Sequence, residues 1–383
     1  MKKGGDTKTV RAATARSAPQ SLDELRAGID RIDAQILELL NERARLAIEV
    51  GHHKKGGGLS IYVPEREKRI FQRLRRLNGG PLRPESVQAI FREVISACLS
   101  LEKPLRVAYL GPAGTYSQEA AQLQFGSGAE FLPQASIEAV FDEVERARAD
   151  YGIVPVENST EGVVAQTLDR FVRSPLTIKA EILLRVNQCL MLRSSKEPIR
   201  RIISHPQSLA QCRDWLAEHY PHVPLEAVAS NAVAAATAAR EAGTAAIAGR
   251  QAAVQYRLEI VAANIQDQPN NFTRFLVVSA DGAGHPTGDD KTSLLFFVPH
   301  EAGALYRALE VFARGKINLS TIESRPLKGR AWEYVFFLDL IGHVEQPVVA
   351  RALEALRRRA VFTKVLGSYP AWRWPDEEVA DGR

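Results

Sequence analysis

A chain of 383 residues with 45% hydrophobic and 25% charged residues has the composition of a soluble globular protein of two or three domains. Its net charge of +5 sits largely in the first hundred residues, too little for a nucleic-acid surface but enough to hold a small anion locally. Cys98, Cys189 and Cys212 are scattered without metal-ligand spacing and no apolar run could span a bilayer, so reduced thiols, a cytoplasmic location and no metal or cofactor are expected.

Residues 1–20 form a basic, small-residue arm without the apolar centre of a secretory signal, and read as a disordered leader. Residues 21–103 read as all-helical. Ser21 and Glu24 make a capping box, Gly56-Gly57-Gly58 breaks the first helix, and Pro64 and Pro84 open two more. Leu22, Leu25, Ile29, Ile32, Ile36, Leu39, Leu46 and Val50 follow one seam of the first helix. Arg43 stands on that seam where an apolar residue belongs. Lys54 lies only about 20° around the helix from it, and Arg26 about 100° away. Cations on a buried face need an anion. They could equally fix register in a helical oligomer, or pair with Glu38 or Glu42. Arg66 and Glu67 open the second helix, and Cys98 and Glu102 share a face of the third at i, i+4.

The stretches LDELRAGIDRIDAQILELLNERARLAIEVGHHK, PEREKRIFQRL and IFREVISACLSLE resemble the helical chorismate mutases of the intertwined-dimer type, over residues 21–103. The resemblance implies that chorismate is held by Arg43, Lys54 and Arg66, with Arg26 reaching the site of a partner subunit. It further implies that Glu67 accepts from the substrate hydroxyl, with Cys98 beside it, and that Glu102 replaces a glutamine at the ether oxygen. A carboxyl group donates only when protonated, so a mutase rate that improves toward acid pH is expected. Val63 stands where some relatives carry an aspartate.

From residue 104 to about 281, short β-branched runs alternate with Ala-rich helices, the texture of a two-lobed α/β domain with a mainly parallel sheet. The turn Gly111-Pro-Ala-Gly-Thr115-Tyr-Ser117 runs from a strand into a helix, a general anion cradle and neither a Walker nor a dinucleotide motif. Glu157-Asn158-Ser159, Ser204-His205-Pro206 and Ser230-Asn231 repeat the arrangement, although ordinary helix capping explains some of it. GPAGTYS, PVENS, SHPQSLAQC and NNFTRF, in this order, resemble prephenate dehydratase. The resemblance implies that Thr273 donates to the leaving hydroxyl and Arg274 pairs a substrate carboxylate. Glu157, Asn158, Ser204 and Gln211 would line the pocket, with Thr115 and Ser117 at the helix start. His205 reads as structural at least as readily as acidic.

A linker over 281–291 leads to a βαββαβ pattern over 291–369, the ferredoxin-like order, before a patternless tail over 370–383. Gly303-Ala304-Leu305 and Glu323-Ser324-Arg325-Pro326 make this segment resemble an ACT domain of the phenylalanine-binding kind, and the resemblance adds Asn318 to that ligand set. Without a ligand the same module would serve oligomerisation.

The combined resemblance is to bifunctional chorismate mutase/prephenate dehydratases with a C-terminal ACT domain, implying a homodimer or higher even oligomer that rearranges chorismate, dehydrates prephenate and responds to L-phenylalanine. No nucleic acid or membrane is expected as partner. A dehydratase acting on arogenate with a decayed mutase domain, or a non-catalytic small-anion sensor, are the competing readings.

Overall fold

The computed structural model describes residues 21–55, 62–282, 284–326 and 334–372, without the side chains of residues 54 and 55. The leader, the triple-glycine break, the side chain of Lys54 and the tail beyond residue 372 therefore lie outside the described residues.

The N-terminal region is three helices, α1 (Leu22–Lys55), α2 (Pro64–Leu77) and α3 (Pro84–Glu102). The capping box forms: Ser21 N–H donates to Glu24 Oε2 at 2.8 Å and Glu24 N–H donates to Ser21 Oγ at 3.2 Å. Proline stands at the first turn of both α2 and α3, where its missing N–H costs nothing. Helix α1 packs on α3. Along its first five turns Leu22, Leu25, Ile29, Ile32, Ile36 and Leu39 are 47–63% exposed, so the seam read from the sequence faces outward in the single chain.

The next region has two lobes. The first contains β1 (Arg106–Leu110), α4 (Tyr116–Phe125), β2 (Glu130–Gln134), α5 (Ile137–Glu145), β3 (Tyr151–Asn158), β4 (Gly162–Val163), α6 (Ala165–Arg173) and β5 (Thr177–Arg185). The chain then builds the second lobe from β6 (Cys189–Leu192), β7 (Arg201–Ser204), α7 (Pro206–Gln211), α8 (Arg213–His219), β8 (Leu225–Ala227), α9 (Asn231–Ala238), β9 (Thr244–Ala248), α10 (Arg250–Tyr256) and β10 (Glu259–Ala263). It returns to the first lobe as β11 (Phe272–Ser279). The sheets run β2-β1-β3-β11-β5, with β4 on β3, and β10-β6-β9-β7-β8. Both are mixed rather than mainly parallel: in the first the returning β11 inserts antiparallel to β3 and β5, and in the second β6 runs antiparallel to β9 and β10.

The C-terminal domain follows the expected βαββαβ order: β12 (Asp290–Phe297), α11 (Ala304–Arg314), β13 (Leu319–Pro326), β14 (Tyr334–Ile341), α12 (Pro347–Arg357) and β15 (Phe362–Pro370), in a sheet ordered β13-β14-β12-β15.

The first-lobe sheet is covered on both faces. Ile153, Phe275 and Val277 share a core with α4 and with Tyr62 of the helical region. Val154, Ile178, Leu276 and Val278 share one with Leu295, Val335, Phe337, Leu366 and Tyr369 of the C-terminal domain. Burying those five side chains contributes on the order of 10 kcal/mol before entropy is counted, enough to dock the domain rather than tether it. Contact is closest where β15 crosses β5: a Cβ on Gly367 would lie 2.3 Å from the Ile178 carbonyl oxygen. Among the described residues no helix is long and apolar enough to cross a membrane.

Candidate active sites

The three N-terminal helices enclose a cavity of about 660 Å³ lined by Arg43, Arg66, Glu67, Cys98 and Glu102. Three elements bring them there: the seam of α1, the first turn of α2 and the last turns of α3. Glu102 Oε2 is buried and has no hydrogen-bond partner among the described residues. Helix α1 passes so close that a Cβ on Gly51 would stand 2.7 Å from that oxygen. A mid-helix glycine costs about 1 kcal/mol relative to alanine, so its use here is close approach. Glu67 is 8% exposed, and Arg92 Nε lies 3.8 Å from its Oε1. Burial pushes Glu67 up to about 7, against the opposing pull of Arg92 and of its bond to Tyr62. Val63 precedes α2 with no side-chain capping bond. Arg26 is 67% exposed beside Asp23, and by helix rise about 25 Å from Arg43, so it lies outside this cavity.

The second site lies where β3 and β11 run side by side. Asn158 Nδ2 donates to Thr273 Oγ1 and to Asn271 Oδ1, both at 2.8 Å. The amide orientation is fixed from its other end, because Asn158 Oδ1 accepts from Thr160 N–H and Glu161 N–H at 3.0 Å. Thr273 Oγ1 is thus the acceptor of that bond, and its own hydrogen remains to be donated elsewhere. Ser159 Oγ accepts from Phe272 N–H at 2.9 Å, joining the same two stretches again.

Where the lobes join, Gln188 Nε2 donates to Gln211 Oε1 and Ser208 Oγ, both at 3.1 Å. Tyr116 Oη donates to the Asn187 carbonyl at 2.9 Å and lies 3.0 Å from Gln188 Oε1. Burial raises this phenol well above its ordinary pKa, so it remains a donor. Sequence reasoning missed Tyr116 and Gln188; only the tyrosine's place after the Gly-rich turn signalled either.

Several expected roles need correction. Arg274 does not face the side of Thr273: neighbours in a strand point to opposite faces. Its Nε donates to Glu181 Oε2 at 2.8 Å, its Nη1 to Asp339 Oδ2 at 2.6 Å and its Nη2 to Tyr369 Oη at 3.0 Å. Glu157 pairs with Arg274 across the β3–β11 ladder and lines the same inter-domain cavity, not the Thr273 face. Ser204 is fully buried and donates to the Ile247 carbonyl at 2.6 Å, so it supports the pocket rather than lining it. Thr115 is spent as the N-cap of α4, donating to the Leu110 carbonyl and accepting from Gln118 N–H. Ser117 is buried in the first turn of that helix. His205 caps α7, its Nδ1 accepting from Gln207 N–H at 3.4 Å, the structural role.

In the C-terminal domain, Gly303 caps α11 in the left-handed region (φ 76°), a backbone only glycine takes without strain, with Ala304 and Leu305 following in the first turn. Strand β13 alternates: Ser324 and Pro326 face outward, while Glu323 and Arg325 are half-buried toward the α/β domain. Glu323 lines the cavity that holds Arg274, and Arg325 Nε lies 3.5 Å from Asp169 of α6. Asn318 is at the other end of the sheet: its carbonyl accepts from Ile341 N–H, about 20 Å of strand from Gly303 and Pro326. Within one chain it does not join them.

Family models match the chain in three consecutive segments: chorismate mutase type II over residues 25–103, prephenate dehydratase over 107–283 and the ACT domain over 292–358. A bifunctional chorismate mutase/prephenate dehydratase of Aquifex aeolicus is 51% identical over 92% of this chain and 98% of its own. Among solved structures, a prephenate dehydratase from Arthrobacter aurescens in complex with L-Phe is 35% identical, with a TM-score of 0.65 over 70% of this chain and 90% of that one. A chain described as a novel type of quorum quenching acylase is 32% identical, with a TM-score of 0.64 over 70% of this chain and 98% of that one.

Proposed function

The chain belongs to the family of bifunctional chorismate mutase/prephenate dehydratases, and on that premise we propose how its residues divide the work. The α1–α3 cavity converts chorismate to prephenate. That rearrangement needs no nucleophile, only a compact conformer and charges matched to the transition state. Arg43, Arg66 and Lys54 hold the two carboxylates, Glu67 accepts from the ring hydroxyl, and Glu102 stands at the breaking ether bond. A second copy of the chain covers the exposed seam of α1 and supplies Arg26, which its own cavity cannot use. The protein is therefore a homodimer or a higher even oligomer.

Prephenate then meets Thr273. The bond from the ring to its carboxylate breaks and carbon dioxide departs, the electron pair enters the ring, and the hydroxyl leaves as water by taking the Thr273 hydrogen, which a proton from solvent then restores. The observation that carries this reading is the Asn158 amide, which makes Thr273 Oγ1 an acceptor and so leaves its one hydrogen free to be donated. Threonine is a weak acid, and aromatisation together with preorganised donors must supply most of the driving force. Gln188, Gln211 and Tyr116 hold the two lobes in register. The C-terminal domain binds L-phenylalanine at Gly303–Leu305 and the outer face of β13, and Asn318 comes to that ligand from a second copy. Three buried free thiols suit a reducing cytoplasm.

The test is to give the purified protein chorismate, follow prephenate and phenylpyruvate separately, and repeat with L-phenylalanine. Prephenate accumulating without phenylpyruvate would remove the dehydratase half of the reading, and a flat phenylalanine titration the regulatory half.

A further inference from the structure

Arg274 is held by two carboxylates from two domains. Glu181 belongs to β5 of the α/β domain, and its side chain is fully buried; Asp339 belongs to β14 of the C-terminal domain. Lys291 of β12 extends this to a chain of two cations and two anions by pairing with Glu181 at 2.8 Å. Ser293 Oγ donates to Asp339 Oδ1 at 2.5 Å, fixing that carboxylate from its own domain. Asp339 is paired in the sheet with Thr321 of β13, two residues before Glu323, and Glu323 lines the same small cavity as Arg274 and Asp339. The strand that carries the outward-facing Ser324 and Pro326 thus places an acid, on its inner side, in the cavity that Arg274 also lines. The register shift between β3 and β11 leaves Val156 of β3 unpaired opposite the Arg274–Phe275 step, so the bulge lies on β3 beside Glu157.

We propose that Arg274 is a positioning residue that transmits the state of the C-terminal domain to Thr273. Displacement of β13 or β14 changes how Arg274 is shared between Glu181 and Asp339, and β11 moves with it. This rests on the reading of Thr273 as proton donor and of the C-terminal domain as the phenylalanine site. Because Glu181 lies in the same domain as Arg274, it holds the arginine when Asp339 is lost. Activity and regulation are therefore separable at Asp339.

The test uses the full-length chain with Asp339→Asn, measuring dehydratase kcat and KM, mutase rate, and phenylalanine affinity by calorimetry. Without phenylalanine, kcat, KM and the calorimetric Kd are expected within about threefold of wild type, while half-inhibition requires at least about tenfold more phenylalanine, a typical loss of coupling. Inhibition unchanged with phenylalanine still bound overturns the proposal. So does a KM for prephenate that rises while kcat holds, since that is the mark of a substrate contact. Should Asp339→Asn fail to fold, seen as loss of the mutase as well, Tyr369→Phe removes the hydroxyl that accepts from Arg274 and bonds Ser293 Oγ, and leaves all four formal charges in place. It must weaken inhibition in the same direction, and wild-type inhibition there also overturns the proposal. Thr273→Ala separates the premises: an active variant removes the donor reading while Asp339 can still be scored for coupling.

Discussion

Asn158 and Thr273 lie opposite each other in the β3–β11 ladder, and the amide of the first donates to the hydroxyl of the second at 2.8 Å. The direction of that bond is not free to invert, because two backbone N–H groups occupy the amide oxygen. Thr273→Ala is expected to lower dehydratase kcat by at least about 100-fold, the scale of losing a transition-state donor. Asn158→Ala, which frees the hydroxyl to rotate, should cost about tenfold or more on the same scale. Mutase activity measured on the same preparations should stay at the wild-type level in both. An active Thr273→Ala protein would take this residue out of the mechanism.

The buried Glu67 should give the mutase a pH dependence. If it must accept from substrate as a carboxylate, the mutase rate should rise as pH passes upward through about 7. That is opposite to the acid-favoured rate expected from Glu102 alone, so a pH–rate profile separates the two groups. The same burial acts on stability, with a definite sign. The group ionises near 4.5 in the unfolded chain and about 7 in the fold, so it contributes no difference below 4.5. Between those values stability falls as pH rises, by about 1.4 kcal/mol per unit, and then levels off after about 3 kcal/mol in all. Glu67→Gln should lose this segment of the stability curve in denaturant titrations, and lose mutase activity with it.

Gly51→Ala sets helix propensity against fit. Propensity alone would favour alanine by about 1 kcal/mol. The added methyl would lie 2.7 Å from Glu102 Oε2, so either α1 or the carboxylate must shift. Mutase kcat should fall on the order of tenfold, as expected when a positioned group moves by a fraction of an ångström. Dehydratase kinetics, read in parallel, should not change.

Ile32 is half exposed in the middle of the bare seam. Ile32→Glu should shift the assembly toward smaller species in light scattering and lower the mutase rate, because Arg26 would no longer reach a neighbouring cavity. A variant with wild-type mass and wild-type mutase rate would argue against the paired arrangement of α1.

Local chemistry made much of this legible. The capping box at Ser21, the prolines that open α2 and α3 and the βαββαβ order all follow from short-range rules, and each is present, whereas the seam of α1 is helical but faces outward in the single chain. The direction of Arg274 was also in the sequence, since Phe-Thr-Arg-Phe-Leu-Val-Val is a strand and alternate residues must part. Reading Thr273 and Arg274 as two hands of one site ignored that period. What no local rule could supply were their partners. Glu181 and Asp339 lie 93 and 65 residues from Arg274; the β5–β11 ladder brings the first and the docking of the C-terminal sheet the second. Ser204, and Thr115 at the helix start where the motif puts it, show a related ambiguity: a hydroxyl that caps or braces has the same sequence signature as one that binds.

The crossing of β15 over β5 has a genetic corollary. At Gly367 no substitution is mild, because every other amino acid brings a Cβ into the Ile178 carbonyl. Any missense codon there should loosen the C-terminal domain from its seat, whatever residue it encodes. In a selection for strains that escape end-product control, position 367 would therefore be recovered through many different replacements. Asp339 would be recovered through those that remove its charge.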